Sequence, residues 1–549
     1  MTIVPIRDLG KLGVNTDWNP VDLPITAFTM GSNVRFTNNR IQRGPVFSTV
    51  GTISNSTPRY ALSYKLLNAS SQFLICNDDG TIHQWQVGNV GSSPTETDIS
   101  VSGYSTSTNT LPFTACLLND VVYVNRSDRV PWYKTTGGST FATLPVWDST
   151  WRCQALRSFQ GALVALNVTK GSTQYPTMVK TSDFTVLDTP PQYWVGATTN
   201  SATENVLGDL NDPIVDGLAL RDRFIIYALN ETWVMEYRGD SLVYNYRRLF
   251  SNRGAINTNC VAEYNNTHYV FGNDDIWTHD GYGNKSIAIG RTRDFIYNNL
   301  IRDQRNQFFV VNNPKQGEVL FCYLSNDPYA YFPVGGSIGY PGCNRAAVYN
   351  YIYDTWYFYD LPYVTSAAFG VTYSGSAYSD LSSVSYDSMS GNYNSFFDGS
   401  RLYLMTLGKA VTGSFGTLSN SVRLFEASNV AQGVGLIDDT ANAPVYLENK
   451  LMDMDEIAKE LRGYKVVNQM WPEATFASNA PVMSFTWGSS DQPNVQAVYD
   501  HTMTFDGITY TKLDFNAPGK YLSLKITYSG IQDFSLSGWD LDYQVFGHR

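Results

Sequence analysis

Apolar and polar positions recur as a β-hairpin along the chain, from about residue 70 to residue 430. Each copy has an apolar strand, a polar turn rich in Asn, Asp or Gly, and a return strand that carries Trp or Tyr. In the first copy, residues 73–76 lead through a turn at residues 77–80 to Trp85. The return strands of three further copies carry Trp132, Trp233 and Trp277. One hairpin cannot bury its apolar face alone, but stacked copies can, and the usual closed arrangement is a β-propeller.

The spacing of the hairpins indicates how many blades such a propeller would have. Strand pairs begin near residues 73, 121, 162, 224, 267, 319, 346 and 401. Intervals of about 40 to 60 residues match one four-stranded blade each, which predicts six or seven blades. Insertions rich in Ser, Tyr and Gly interrupt the pattern at residues 325–342 and 373–394. Such insertions either leave the blade and contact a neighbour or solvent, or are disordered loops, and the pattern leaves both open.

The two ends of the chain depart from this repeat. Residues 33–36 and 41–47 are predicted to form two short strands joined by a turn. From residue 464 onward, alternation such as that of residues 521–526 predicts sheets with one buried face, which is typical of a β-sandwich. We therefore predict an all-β chain in three parts. These are an N-terminal platform segment at residues 1–55, a propeller at 56–440 and a C-terminal β-sandwich-like platform domain at 441–549.

Composition narrows the functional classes. Charged residues are 16% of the chain, against about 25% in ordinary globular proteins, whereas aromatic residues are 14%. This balance suits either a subunit whose faces are covered by neighbours or a β-rich monomer. The net charge of −11 argues against a protein that grips nucleic acid by its phosphates. An acidic wall that lets nucleic acid pass remains compatible with it.

Targeting and redox signals are sparse. The first eight residues have neither a basic nor an apolar region of a signal peptide, and no stretch approaches the roughly 18 apolar residues of a membrane span. The six cysteines are scattered without a C-x-x-C pair, so we expect buried reduced thiols.

Motifs typical of catalysis or metal binding are scarce in the sequence. His268 and His279 stand eleven positions apart near Asp274, Asp275 and Asp280, where a structural turn is favoured over a zinc site. G-x-S-x-G, P-loop and H-E-x-x-H motifs do not occur. We therefore predict no enzymatic activity, no catalytic residue, no metal and no cofactor.

Two terminal segments carry a family resemblance. The first contains Asn33, Val34, Arg35, Phe36, Arg43, Gly44 and Pro45. The second contains Gly519, Tyr521, Gly538, Trp539, Asp540, Asp542, Gly547 and Arg549. Together they resemble the opening and closing motifs of the tail nozzle proteins of short-tailed bacteriophages (podoviruses), also called tail tubular or packaged-DNA stabilisation proteins. The hairpin at residues 271–281 resembles the blade hairpin of that family.

The resemblance implies a structural virion protein. Its members form a ring, usually a homohexamer, below the portal and the head-to-tail adaptor proteins. The ring retains packaged DNA and forms the conduit for its ejection, so double-stranded DNA would pass without sequence-specific binding. Tail fibres or a tail needle would be further partners. The protein is then expected in the virion tail, after assembly in the cytoplasm of the bacterial host.

Two other functions remain open at this point. The first is a phage adsorption or carbohydrate-binding propeller, whose Tyr- and Trp-lined loops stack on sugars. The second, which we favour less, is a propeller glycoside hydrolase, which requires two carboxylates that converge at the central face.

Overall fold

The computed structural model describes residues 2–546 except 54–55, 68–70, 87–94, 104–107, 240–241, 336–341, 374–400, 414, 426–435, 438, 455–462, 478–481, 494 and 508–510. Strands dominate this part of the chain, as predicted. Its helices are short: one α-helix, Arg293–Asn299, and 3-10 turns at Pro20–Asp22, Arg302–Gln307 and Asp439–Ala441. The predicted insertion at residues 373–394 lies, apart from Tyr373, outside the described residues.

Five separate four-stranded antiparallel sheets form blades 1 to 5, and within each blade the strands pair in chain order. Blade 1 comprises Pro58–Lys65, Ser71–Asn77, Ile82–Gln86 and Thr95–Asp98. Blade 2 comprises Phe113–Leu118, Val121–Arg126, Trp132–Lys134 and Ala142–Thr143. Blade 3 comprises Trp151–Phe159, Ala162–Lys170, Thr173–Thr181 and Thr203–Val206. Blade 4 comprises Ile214–Leu220, Arg223–Ala228, Thr232–Tyr237 and Tyr244–Phe250. Blade 5 comprises Val261–Tyr264, Thr267–Phe271, Ile276–His279 and Asn284–Ser286.

One long strand, Thr355–Tyr373, is shared by the last two blades. Its first half is the outer strand of blade 6, after Phe309–Asn313, Glu318–Tyr323 and Cys343–Asn350. Its second half is the innermost strand of blade 7, followed by Arg401–Gly408 and Ser421–Phe425. A two-stranded ribbon, Val411–Gly413 with Gly416–Leu418, leaves blade 7 between these strands.

Blade 7 is completed by the N-terminal part of the chain. Phe47–Thr52 pairs antiparallel with Ser421–Phe425, and Leu436–Ile437 pairs with its other edge. This strand belongs to the predicted N-terminal segment of residues 1–55, yet it is hydrogen-bonded into the propeller. The domain boundaries at residues 55 and 440 remain predictions.

The seven innermost strands close a circle. Each packs beside the innermost strand of the next blade, and the strand of blade 7 packs beside Pro58–Lys65 of blade 1. Within the described residues the fold is therefore a seven-bladed propeller, which confirms the predicted architecture and the upper of the two predicted blade counts.

The hairpin tryptophans explain why the blades stack. Trp85, Trp132, Trp233 and Trp277 are all at most 6% exposed and stand in the third strand of blades 1, 2, 4 and 5. Each shares an apolar cluster with the preceding blade, as Trp277 does with Ile225 of blade 4. An aromatic ring of this size fills the wedge between two twisted sheets.

The ends of the chain form the predicted β-sandwich. One sheet, here called the terminal sheet, comprises Thr2–Ile6, Val34–Thr37, Arg40–Arg43, Lys465–Phe476, Leu513–Gly519 and Phe534–Val545. The other, called the junction sheet, comprises Met30–Ser32, Val445–Met452, Met483–Ser490, Val498–Phe505 and Tyr521–Tyr528. Their inner faces share one apolar core, which includes Leu536 and Leu541 of the terminal sheet and Leu524 and Ile526 of the junction sheet.

Platform and propeller are joined by backbone hydrogen bonds. Met30–Ser32 pairs antiparallel with Val445–Met452 and, at Ser32, parallel with Phe358 of blade 6. The junction sheet thus continues into blades 6 and 7 as one hydrogen-bonded surface. Such continuity couples the platform to the propeller.

Candidate functional site

A polar pocket lies at the centre of the propeller. It has a volume of about 170 Å³, and residues from all seven blades line it. Its polar lining residues are Arg59, Tyr60, Arg157, Asp216, Asn259, Asn306, Gln307, Thr365 and Ser366. Most of the lining comes from the beginnings of the innermost strands, whereas Arg157 reaches it from near the end of its strand. The pocket therefore lies toward one end of the central channel.

A rigid network holds one side of this pocket. Arg157 forms a two-pronged ion pair with Asp216, with Nε–Oδ1 at 2.9 Å and Nη2–Oδ2 at 2.7 Å. Arg157 Nη2 also donates to Asn259 Oδ1 at 2.9 Å, and the Asn259 amide donates to Asp216 Oδ2 at 2.8 Å. Asn259 Nδ2 donates in turn to the Phe113 carbonyl. The network ties blades 2, 3, 4 and 5 together.

The pocket carries an excess of positive charge. Asp216 is the one carboxylate among the lining residues of the described chain, and Arg157 neutralises it. Arg59 is the second guanidinium of the lining. Burial lowers the pKa of Arg59, and the carboxylate of Asp78 opposes that effect. The pair of converging carboxylates that a glycoside hydrolase requires is not formed by these lining residues.

The N-terminal motif residues lie where the platform meets blade 6. Val34 and Phe36 are fully buried in the platform core. The Arg35 guanidinium pairs with Glu318 of blade 6, with Nε–Oε1 at 2.6 Å. The Tyr357 and Tyr359 hydroxyls each donate to the same Glu318 oxygen at 2.9 Å. This buried ion pair joins the first motif to the propeller.

A second buried network lies beside it. Asn33, whose φ is +59°, donates from Nδ2 to Asp360 Oδ2 at 2.7 Å. Asp360 also pairs with Arg345 at 2.6 Å, and Arg345 pairs with Asp327 at 2.8 Å. Asp327 belongs to the predicted insertion at residues 325–342, so the described part of that insertion packs into the molecule.

The segment Arg43-Gly44-Pro45 lies beside Asn33. The Arg43 guanidinium donates to the carbonyls of Gly530, Asn33 and Ala443, at 3.0, 3.1 and 2.8 Å. A side chain on Gly44 would lie 2.6 Å from the Asn33 carbonyl carbon, which explains the glycine. Pro45 is buried behind it. The Arg43-Gly44-Pro45 motif therefore has a structural role.

The C-terminal motif lies in the platform too, on both of its sheets. Tyr521 and Trp539 are buried, and Asp542 is 1% exposed. Asp540 pairs with Arg7 at 2.7 Å on the surface. Side chains on Gly519 and Gly538 would lie 2.5 Å from Ser489 Cβ and from the Ile6 carbonyl oxygen. Gly547 and Arg549 lie outside the described residues.

A buried hydrogen-bond chain links blades 4 and 5. Tyr227 Oη lies 2.7 Å from His268 Nδ1 and 2.6 Å from His279 Nε2. His268 Nε2 donates to the Ala219 carbonyl, and His279 Nδ1 accepts from the Gly281 amide. These outer bonds fix the order: His279 Nε2 donates to Tyr227, and the Tyr227 hydroxyl donates to His268. Both imidazoles are therefore neutral.

The sequence predicted a structural turn rather than zinc ligation here, and missed the tyrosine between the two histidines. The alternation of residues 224–227 places Tyr227 and Ile225 on the same side of the strand. No feature of the neighbouring sequence indicates that this side contacts blade 5. Asp275 instead pairs with Arg253 at 2.7 Å. In the part of the chain that the structure covers, no three His, Cys, Asp or Glu side chains cluster as metal ligands.

All six cysteines are buried and unpaired with one another, as predicted. Burial raises the thiol pKa of each of them, to about 12 for Cys116. Native thiols of this kind are protonated and unreactive at neutral pH.

No protein-family model matches the sequence, and no curated protein matches it. The β-propeller domain of Cps50 (Swd1) from Myceliophteria thermophila superposes with a TM-score of 0.39 at 7% identity, over 69% of this chain and 99% of that domain. No helix among the described residues is both long and apolar enough to cross a membrane. From its own sheets and their closure, the part of the chain that the structure describes is a seven-bladed β-propeller with a β-sandwich built from both terminal regions.

Proposed function

We propose that this protein is the nozzle subunit of a short phage tail, a structural protein that retains packaged DNA and then conducts it into the host. Its work is mechanical, and its partners are copies of itself, the adaptor above it and fibres or a needle at its rim.

One observation carries this proposal. The two segments that resemble nozzle proteins stand almost 500 residues apart in the sequence, yet both contribute to one platform. Arg40–Arg43 pairs directly with Phe534–Val545, with Ile41 opposite Leu536. Their motif residues serve packing and close backbone approach, as Arg43, Gly44 and Gly538 do. Motif residues that serve packing are characteristic of a particular architecture. A shared architecture is what we expect among the members of a family of structural subunits.

The charge of the chain agrees with a conduit. A net charge of −11 repels phosphates, so DNA that slides past such a wall is not trapped. The low charged fraction and the many tyrosines suit subunit interfaces, where aromatic residues are enriched and charged residues depleted.

The deciding experiment is the copy number of this chain in purified particles, calibrated against the portal protein by quantitative mass spectrometry. A six-subunit ring, about 370 kDa from 61.3 kDa per chain, would give about half the copies of a twelve-fold portal. Particles assembled without the chain should also release their DNA to added nuclease. Absence of the chain from mature particles would overturn the proposal.

A second candidate is glycan binding by the loops of blades 3 to 5. Tyr193, Tyr237 and Tyr282 are 52%, 47% and 69% exposed and stand in or beside the connections to the outermost strands. Exposed aromatic rings stack on the apolar faces of sugars. A glycan array probed with the full chain tests this function. Binding that is lost in the Tyr193→Ala/Tyr282→Ala double variant would support it, whereas an array without signal would contradict it.

A further inference from the structure

Two polar groups of the central pocket have no hydrogen-bond partner among the described residues. Arg59 Nε is buried from solvent and makes no such bond. Gln307 is 7% exposed, and its Nε2 donates to Gln304 Oε1 at 2.9 Å. Its own Oε1 is buried without a partner. A buried polar group without a partner costs about 1–3 kcal/mol, so a hydrogen bond from a ligand in the pocket would stabilise either group.

The charges around these groups favour an anion. The Arg157–Asp216 pair is neutral as a unit, which leaves the Arg59 guanidinium as the net charge of the lining. Lys409 of blade 7 lies close enough that Arg59 contributes, after burial, to lowering its pKa. Asp78 is the carboxylate that acts on both cations. Among the lining residues themselves, two guanidinium groups stand against one carboxylate, which is a positive excess in a protein whose net charge is −11.

The pocket also has the size and rigidity of a small-molecule site. A volume of about 170 Å³ is slightly larger than that of an engineered protein cavity of about 150 Å³ that binds benzene. The two-pronged Arg157–Asp216 pair and Asn259 hold one wall in place, while Phe113, Phe308 and Phe309 supply apolar surface. Convergent polar groups on a fixed, partly apolar wall are typical of sites that bind small ligands.

We propose that the centre of the propeller binds a compact hydroxycarboxylate, no larger than a hexuronate. The Arg59 guanidinium takes the carboxylate, and Gln307 Oε1 accepts a hydrogen bond from a hydroxyl of the ligand. This inference does not depend on the nozzle function, since it concerns a pocket within one chain.

Isothermal titration calorimetry on the full chain tests the proposal with matched probes. Glycerate and glucuronate carry both recognised groups, glycerol and glucose lack the carboxylate, and propionate lacks the hydroxyls. We expect at least one of the two acids to bind, with its matched analogues weaker by about tenfold or more. Methyl glucuronoside then distinguishes the two sources of the ligand. A site for the terminal sugar acid of a polysaccharide would bind this glycoside as tightly as glucuronate, whereas a site for a free acid would bind it more weakly.

Variants assign the effect to the pocket. Arg59→Gln should weaken binding of the acid by about tenfold or more, and Gln307→Leu should remove the preference for hydroxylated over plain acids. Arg40→Gln is the matched control, because Arg40 is an exposed arginine of the terminal sheet.

Two results would overturn the proposal. The first is that neither acid binds more tightly than its neutral analogue at concentrations up to about 10 mM. The second is that a folded Arg59→Gln chain keeps its affinity. If Arg59→Gln does not fold, the comparison of acids with neutral analogues on the natural chain decides by itself.

Discussion

At the scale of single residues, the motif glycines are explained by what lies beside them. A Cβ on Gly538 would stand 2.5 Å from the Ile6 carbonyl oxygen, and one on Gly44 would stand 2.6 Å from Asn33 backbone. Both contacts are to backbone, which cannot rotate away as a side-chain tip can. These positions therefore require glycine because two chain segments meet there.

Replacing Gly538 by alanine should destabilise the platform. The added methyl group would push away Thr2–Ile6, which pairs with Phe534–Val545 at this point. We expect a loss of about 2–3 kcal/mol in the free energy of unfolding, measured by urea denaturation, together with faster proteolysis of the N-terminal strand. The control is Gly137→Ala, where a Cβ would meet nothing within 4 Å. Equal effects of the two substitutions would contradict this explanation.

The buried ion pair of Arg35 and Glu318 gives a second prediction. Their side chains are 8% and 0% exposed, so Glu318→Gln would leave a buried guanidinium without its countercharge. We expect a loss of about 3–5 kcal/mol in the free energy of unfolding. Asp540→Asn, which weakens the exposed pair of Asp540 with Arg7, should cost less than about 1 kcal/mol. If urea midpoints rank the two variants the other way, burial does not govern these pairs.

At the scale of elements, the hairpin pattern predicted the repeating unit correctly because the information is local. An apolar strand, a polar turn and a return strand with Trp or Tyr are all read within about 15 residues. The pairing of Phe47–Thr52 with Ser421–Phe425 was not predicted, since nothing near either strand indicates a partner almost 400 residues away. The sharing of Thr355–Tyr373 between blades 6 and 7 escaped prediction for a similar reason.

The hairpin tryptophans should hold neighbouring blades together. Trp277 is 1% exposed between blades 4 and 5, and its Nε1 donates to the Gly254 carbonyl at 3.2 Å. Trp277→Ala should lower the free energy of unfolding by about 3–5 kcal/mol, because it leaves a cavity and an unpaired carbonyl. Trp18→Ala is the control, since Trp18 is 53% exposed. Similar thermal midpoints for both variants would refute the proposed role of the tryptophan.

At the scale of the whole molecule, the hydrogen-bond chain of Tyr227, His268 and His279 makes the free energy of unfolding depend on pH. Burial lowers the pKa of His268 from 6.5 to about 4. Burial and the neighbouring His268 lower the pKa of His279 to about 3. At a pH between these pKa values and 6.5, the two histidines bind protons in the unfolded chain but not in the folded chain. The stabilisation is therefore complete above about pH 7 and is lost as the pH falls.

We expect each of the two histidines to contribute a loss of about 2 kcal/mol on going from pH 7 to pH 5. Urea denaturation across this range would measure it. The His268→Gln/His279→Gln variant should show a flatter dependence, whereas His501→Gln, outside this chain of bonds, should keep the slope of the natural protein. A natural protein whose unfolding midpoint stays constant from pH 7 to pH 5 would show that the histidines are not buried as neutral groups.

The sequence by itself determined the strands, the turns and the stacking of hairpins, because side-chain alternation and turn chemistry act over a few residues. It also predicted correctly that the cysteines are buried, since four of the six lie within or beside apolar strand runs. Only the tertiary structure decided how many blades close the circle, which strand closes it and how both ends build one platform. The pocket of Arg59 and Gln307 and the bonds of Tyr227 likewise depend on side chains from different blades. Such contacts form only when segments distant in the sequence are brought together, and no local sequence pattern indicates which segments those are.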